Sequence, residues 1–265
     1  MELNNNNYYS QEANLAYISV SQYKDFFGWL GKGGCEARAL ARLRGEWTEE
    51  PSTAMLVGSF VDAFYEGTLP QFKEKHPEMY CKNGELKKDF QKAIEICEIT
   101  QKDAFFNKYM SGQKQIIMTA ELFGAKWKIK MDSYHHNAAI VDLKVVKDIH
   151  ERFWVKDYGF FINFILNWGY DFQGAIYQLV VEANTGKRLP FYIAAADKTK
   201  VPDKAVLKVP QAFLESSLQF VESNVKRISD LKNGIIEPIR CEKCDYCKAI
   251  KVLTGLTEFD RLIEV

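Results

Sequence analysis

Lys126 to Lys147 is the stretch that most limits what this chain can fold into. Trp127, Ile129 and Met131 alternate with Lys126, Lys128, Lys130 and Asp132. A period of two predicts a half-buried strand. Ser133 to Asn137 is polar and reads as a turn. Ala138 to Val146 is apolar and β-branched, interrupted only by Asp142 and Lys144, and reads as a second strand paired antiparallel with the first. Asp132 then stands nearly opposite Asp142, and residues 142 and 144 share one face. A charged pair inside an apolar strand needs a partner or a function. Two carboxylates and a lysine beside one hairpin, with the Leu143 carbonyl as a further oxygen, suit Mg²⁺ and a phosphate. Lys144 is placed to orient an attacking water or to stabilise developing charge. The plain alternative is a surface hairpin with an ion pair.

The chain has 265 residues, 47% hydrophobic and 14% aromatic, enough for a sizeable core. It has no apolar run of the roughly 20 residues that span a membrane. Its opening Met-Glu-Leu-Asn-Asn-Asn-Asn is not a secretory leader, so a cytoplasmic protein is expected. The 35 basic and 35 acidic residues cancel, and no global field recruits a polyanion. A nucleic-acid surface must then be local, with Lys126, Lys128, Lys130, Lys144, Lys147, Lys198 and Lys200 as its candidates or else as ordinary solvated lysines.

Around the hairpin the pattern is mostly helical. Residues 1–16, rich in Asn and Tyr, read as an irregular arm. Ser19 or Ser21 caps a helix over 22–30, broken by Gly31, Gly33 and Gly34; a second helix covers 36–43 after Cys35. A third covers 55–65, where Asp62 is the one charge in an apolar run, either on the solvent stripe or on a metal. Residues 66–112 read as helical, 115–123 as a strand carrying Glu121 as a further candidate acid, 148–168 as an aromatic helix, 170–184 as a long helix, 189–196 as a strand and 210–232 as one final helix whose core side includes Phe213 and Phe220. No repeat or linker divides this series, which predicts one mixed α/β domain over 1–265.

Six cysteines in a reducing compartment do not make a disulfide framework. Cys241, Cys244 and Cys247 have metal-ligand spacing, and with Cys35 as a distant fourth they suit a [4Fe–4S] cluster or Zn²⁺. So tight a run of three wraps a single Zn²⁺ poorly, which favours the cluster. The alternative is reduced free thiols.

Asp132, then Asp142-Leu143-Lys144, then Gln173-x₃-Tyr177 together resemble the PD-(D/E)XK nuclease superfamily, in its RecB-type branch. Gly58-Ser59-Phe60-Val61-Asp62 resembles the helix that carries a metal-contacting residue there, commonly His where this chain has Asp62. Ile18 to Ser21 and Gly34 to Ala37 are similar to phage exodeoxyribonuclease VIII-like (RecE-like) proteins, and the resemblance covers most of residues 17–255. It implies a central mixed sheet flanked by helices, a restriction-endonuclease-like core. It implies Mg²⁺- or Mn²⁺-dependent hydrolysis of linear duplex DNA in phage recombination, with Asp62, Asp132, Asp142 and Leu143 on the metal and Lys144 holding the nucleophile. Gln173 and Tyr177, one helical turn apart, would contact DNA or support the site. By the same resemblance, Cys35, Cys241, Cys244 and Cys247 would hold an iron–sulfur cluster that packs segment 237–255 near Cys35. A single-strand annealing partner and a homo-oligomeric ring are likewise implied. A reading from another class is a non-catalytic DNA-binding or structural protein with a metal-stapled fold.

Overall fold

The computed structural model describes residues 1–30, 32–156, 159–219, 221–253 and 255–256; Gly31, Phe220 and residue 254 of the cysteine segment lie outside them. In chain order come helices α1 (Gln11–Ala16) and α2 (Val20–Phe27), a small hairpin of β1 (Gly28–Trp29) and β2 (Lys32–Gly33), then α3 (Glu36–Leu43), α4 (Thr53–Glu66), α5 (Leu69–Lys75), α6 (Lys88–Gln101) and α7 (Ala104–Met110). Strands β3 (Ile116–Leu122), β4 (Ala125–Met131), β5 (Ser133–His135), β6 (Ala139–Val146), β7 (Phe153–Val155) and β8 (Phe160–Ile162) follow. The chain continues through α8 (Phe164–Asn167), α9 (Tyr170–Thr185), β9 (Phe191–Asp197), β10 (Lys204–Lys208), α10 (Gln211–Ser216), α11 (Val221–Lys232) and α12 (Asp245–Ala249).

The main sheet has the order β10-β9-β6-β5. β6 and β9 run parallel, with α9 in the connection between them, while the outer pairings are antiparallel. This is the mixed sheet flanked by helices that the sequence predicted. β6 and β9 are covered on both faces, which is why they read as nearly continuous apolar runs. One face packs Ile140, Val146, Ile193 and Ala195 with Phe172, Ile176 and Val180 of α9. The other packs Val141, Leu143, Ala194 and Ala196 with Phe60 and Val61 of α4 and Phe90 and Ile96 of α6.

Several sequence expectations change. β4 pairs with β3 along its whole length, from Ile116↔Met131 to Leu122↔Ala125, and not with β6. Ser133 to His135, expected as turn, is the short strand that pairs with β6. Period two identifies a half-buried strand but not its partner, and β4 and β5 are separated only by Asp132. The aromatic stretch 148–168 forms the hairpin β7–β8 and the single-turn α8, not a long helix. The expected helix 210–232 is two helices, and Phe213 is 46% exposed and not core. Ser19 caps α2 by accepting from the Gln22 N–H, and the helix starts at Val20. The 1–16 arm is built: Ser10 caps α1, and Tyr8 and Ala13 are buried. Lys128, expected at the surface, is 1% exposed. Its ammonium donates to the Tyr8 carbonyl and to Asn14 Oδ1 at 2.7 Å, and so fixes the arm.

α9 lies close on β9 because residue 174 is glycine. A Cβ there would stand 2.4 Å from Cδ1 of Phe191. On an open helix face, Gly→Ala stabilises by up to about 1 kcal/mol. Here the sign reverses. Gly174→Ala is expected to lower stability by about 1–3 kcal/mol through overpacking, read as a lowered midpoint in denaturant unfolding; an unchanged or raised midpoint would show that α9 has room to spare.

Candidate active site

The site is set by where β4 leaves the sheet edge. β5 pairs with β6 in the register Ser133↔Val141, and one further step places Asp132 opposite Asp142. Asp132 does not continue the ladder. Its Oδ2 accepts from the Leu143 N–H at 2.8 Å, taking the place of a strand carbonyl. Asp142 is 2% exposed. Its Oδ1 accepts from Gln173 Nε2 of α9 at 2.6 Å, and its Oδ2 lies against the Lys144 ammonium. Lys144 also donates to the Leu143 carbonyl at 3.3 Å, and its Nζ is 5.0 Å from the Tyr170 ring centre. Tyr177, one turn beyond Gln173, donates to the Lys130 carbonyl at 3.1 Å and ties α9 to β4. α4 supplies Asp62 from the opposite side of the sheet.

These groups line one cavity of about 350 Å³, together with Tyr9, Ser59, Glu66 and Gln115. Asp62, Glu66, Asp132 and Asp142 share it with two lysines, Lys130 and Lys144, and Lys144 is the one paired with Asp142. Burial and then the charge of Asp142 push Asp132 up to about 7. Burial and then Asp132 raise Asp62 well above the ordinary carboxylate range. Burial works against the charge on Lys144, but Asp142 and Asp132 outweigh it and hold the ammonium above its usual value. Burial likewise raises Tyr177. The cluster is thus short of positive charge. Asp142 Oδ2 accepts no well-angled hydrogen bond, and the available donors are hard oxygens: three carboxylates and the Leu143 carbonyl. That donor set fits Mg²⁺ or Mn²⁺.

Of the residues singled out in sequence, Asp62, Asp132, Asp142, Leu143, Lys144, Gln173 and Tyr177 meet at this cavity. Glu121 does not; it is exposed and pairs with Lys126 at the far end of the β3–β4 hairpin. Lys147 is exposed and paired with Glu151. Gln115 was missed. It adopts φ 54° at the start of β3 and reaches Asp132 Oδ1 at 3.5 Å, and no sequence pattern marks it. Tyr9 and Lys130, also in the lining, arrive through the folded arm and β4.

The cysteines form a second centre. One ligand atom from each of Cys35, Cys241, Cys244 and Cys247 can be enclosed with all four within 4.8 Å of one another. Cys35 caps α3, accepting from the Arg38 N–H. The next residue, Glu36, accepts from Arg227 at 2.5 and 2.8 Å and from the Ile239 N–H at 2.8 Å, and so brings the late segment to the early helix. Among the described residues, no helix is long and apolar enough to cross a membrane.

Residues 19–250 match the PDDEXK-like domain of unknown function DUF3799. The chain is similar to the crystal structure of a "Putative exonuclease" from Eubacterium rectale, with 52% identity, a TM-score of 0.96, and coverage of 99% of this chain and 98% of that one. No curated protein matches it. A match over well more than half of the chain shows that the chain belongs to this PDDEXK-like family.

Proposed function

We propose that the chain is a divalent-metal-dependent exonuclease acting on the ends of linear duplex DNA. The observation that carries this reading is the gathering of Asp62, Asp132 and Asp142 with Lys144 around a single cavity at the sheet edge. The family match and the relative described as an exonuclease support it. A role in phage recombination rests on the RecE-like resemblance alone.

Asp62, Asp132, Asp142 and the Leu143 carbonyl would hold Mg²⁺ or Mn²⁺, which supplies Lewis-acid charge to a phosphate. The protein's own groups do the rest. Gln173 fixes Asp142 by its amide on Oδ1, leaving Oδ2 against the Lys144 ammonium. Asp132 is fixed by the Leu143 N–H. The Lys144 ammonium, held charged by its two carboxylate neighbours, donates hydrogen bonds to an attacking water and orients it. Tyr177 holds β4 against α9, so the two acid-bearing strands keep their spacing.

Asp142→Ala and Lys144→Ala are each expected to cut Mg²⁺-dependent digestion of end-labelled linear duplex DNA on the order of a hundredfold or more. Digestion at wild-type rate by both variants would remove this assignment, and the labelled products report the polarity.

Metal binding should depend on pH in a set direction. Asp132 titrates at about 7 in the folded chain, against about 4 when unfolded. In that window the metal-free folded state binds more protons than the unfolded one, so its stability falls as pH rises. Mg²⁺ would stabilise the charged carboxylate that burial and then Asp142 disfavour. The rise in melting temperature on adding Mg²⁺ should therefore be larger near pH 8 than near pH 5 and absent in Asp142→Ala. Equal rises at both values would show that Asp132 is not a ligand.

We further infer that the cysteine centre holds a single Zn²⁺. Cys35 Sγ stands 3.6 Å from Cys247 Sγ, and Cys241 Sγ 3.9 Å from it. Thiolates about 2.3 Å from one ion lie about 3.8 Å apart at tetrahedral corners. A [4Fe–4S] cube puts each thiolate on its own iron and spreads them to about 6 Å. The spacing supports the single ion, which the tight cysteine run had argued against. Anaerobically purified protein should carry about one zinc per chain and no visible charge-transfer band; about four irons per chain would overturn this.

A further inference from the structure

A cavity of about 640 Å³ that shares no lining residue with the acidic one lies among the end of α2, the β1–β2 and β7–β8 hairpins, and α10. Its wall is aromatic, made by Tyr23, Phe27, Trp29, Phe160 and Phe213. Trp29 is fixed there. Its Nε1–H donates to the Leu166 carbonyl at 2.8 Å, and its ring stacks on Phe172 at 5.1 Å. Residue 169 is glycine for that approach, since a Cβ would stand 2.9 Å from the indole. Phe160 and Phe213 are 51% and 46% exposed. Large rings kept in water beside a cavity mark a place where a ligand binds.

One charge lines this cavity without a counterion. Asp171, in the first turn of α9, is 5% exposed, and its Oδ1 is enclosed with no hydrogen-bond partner. Two lysines stand near it, and both are spent elsewhere. Lys32 donates to the Asn167 carbonyl at 2.7 Å and lies 3.6 Å from the Trp168 ring centre. Lys24 donates to the Trp168 carbonyl at 2.8 Å. The N–H groups of Asp171 and Phe172 at the helix start favour the carboxylate, but burial outweighs them and pushes the group up to about 6. A carboxylate serving only the helix start would gain as much from the dipole at the surface, without the cost of burial. Buried charges are paired as a rule, and this one lacks its cation.

Aromatic faces attract cations, and a carboxylate fixes one by charge-assisted hydrogen bonds. A cavity of this volume is the size that takes a small molecule. We propose that it binds a small organic cation, with an ammonium or guanidinium group on the Asp171 carboxylate and a carbon frame against Trp29, Phe160 and Phe213. The site is independent of the nuclease reading. In sequence Asp171 lies between Tyr170, whose ring centre is 5.0 Å from Lys144 Nζ, and Gln173, which holds Asp142. The ligand is thus fixed to the helix that supports the acidic site.

Phenethylammonium and agmatine are the probes, titrated by calorimetry into the full chain. Each should bind with a dissociation constant of about 1 mM or below and should shift the Trp29 indole N–H signal in a nitrogen-15 correlation spectrum. Phenethyl alcohol, the neutral counterpart, should bind at least about tenfold more weakly. Asp171→Asn should lose about tenfold or more in affinity for both cations, and Asp171→Glu should recover part of that loss. Without ligand, Asp171→Asn should melt no lower than wild type, because it removes an unpaired buried charge. Absence of binding by both probes, equal binding of the amine and the alcohol, or wild-type affinity in Asp171→Asn would overturn the proposal. If Asp171→Asn melts lower instead, Phe213→Ala decides, since its ring is half exposed: a severalfold weaker affinity supports the site, and wild-type affinity overturns it. None of these readouts involves DNA, so their failure leaves the nuclease reading as it stands.

Discussion

The site depends on one hydrogen bond, from the Leu143 N–H to the Asp132 carboxylate. β6 is a central strand whose edge loses its partner where β5 gives way to β4. A buried strand N–H left unpaired there would cost about 1–3 kcal/mol. Asp132 satisfies it with a side chain in place of a backbone carbonyl. This choice frees β4 to pair with β3, opens a gap at the sheet edge, and fixes a carboxylate opposite Asp142. The same atoms that complete the sheet therefore assemble the acidic cluster. The cluster in turn gathers more carboxyl groups than Lys144 can balance as anions, and burial with their mutual repulsion pushes Asp132 and Asp62 toward their protonated forms. A site of this kind is arranged for something that is not part of the polypeptide.

The chemistry was more legible in the sequence than the pairing. Asp142 and Lys144 stood out because charges inside an apolar strand are costly wherever that strand lies, and the structure puts both at the cavity. Helices α3 and α9 were readable because their apolar periodicity and flanking glycines are local signals. The partner of β4 was not readable, since alternation gives a strand two faces and says nothing of its edges. Nor was the hairpin β7–β8, where the density of aromatics in 148–168 mimics a helical core stripe. Lys128 shows the limit most clearly. A lysine alternating with apolar residues looks solvated, yet its partners are Tyr8 and Asn14, more than a hundred positions away. Burial of a charge is decided by such distant acceptors, and no local pattern reports them. Asp62 was ambiguous for the same reason: its helix does not disclose which groups the rest of the fold will bring to it.

The late cysteine segment has no sheet or long helix to hold it, and its contacts explain how it stays in place. Glu36 is 6% exposed and takes three donors, two from Arg227 and one from the Ile239 N–H. The Ala37 N–H also donates to the Ile239 carbonyl. A small apolar cluster of Cys35, Ala37 and Cys247 closes the contact. Four thiols alone would supply little cohesion, but the single ion proposed for them would close a loop of some two hundred residues, and closing long loops restricts the unfolded chain most. Because α3 also packs on α2, which reaches α9, such a clamp would restrain the helices behind Gln173 and Tyr177.

The buried lysines complete the same logic. Lys128 and Lys232 are both pulled below their ordinary values by burial, to about 8 and about 7. Neither is matched by a carboxylate; each is satisfied by carbonyl and amide oxygens of the 8–22 region. For a purely structural purpose an apolar residue would fill these positions at lower cost. An ammonium with three donors does something an apolar side chain cannot: it fixes several carbonyls of an arm that has little secondary structure of its own. The arm is thereby held with Tyr9 open beside Lys130 and the acidic cavity. Stability given up at the base of the arm is exchanged for geometry at its tip, the pattern expected where local rules are broken next to a functional site.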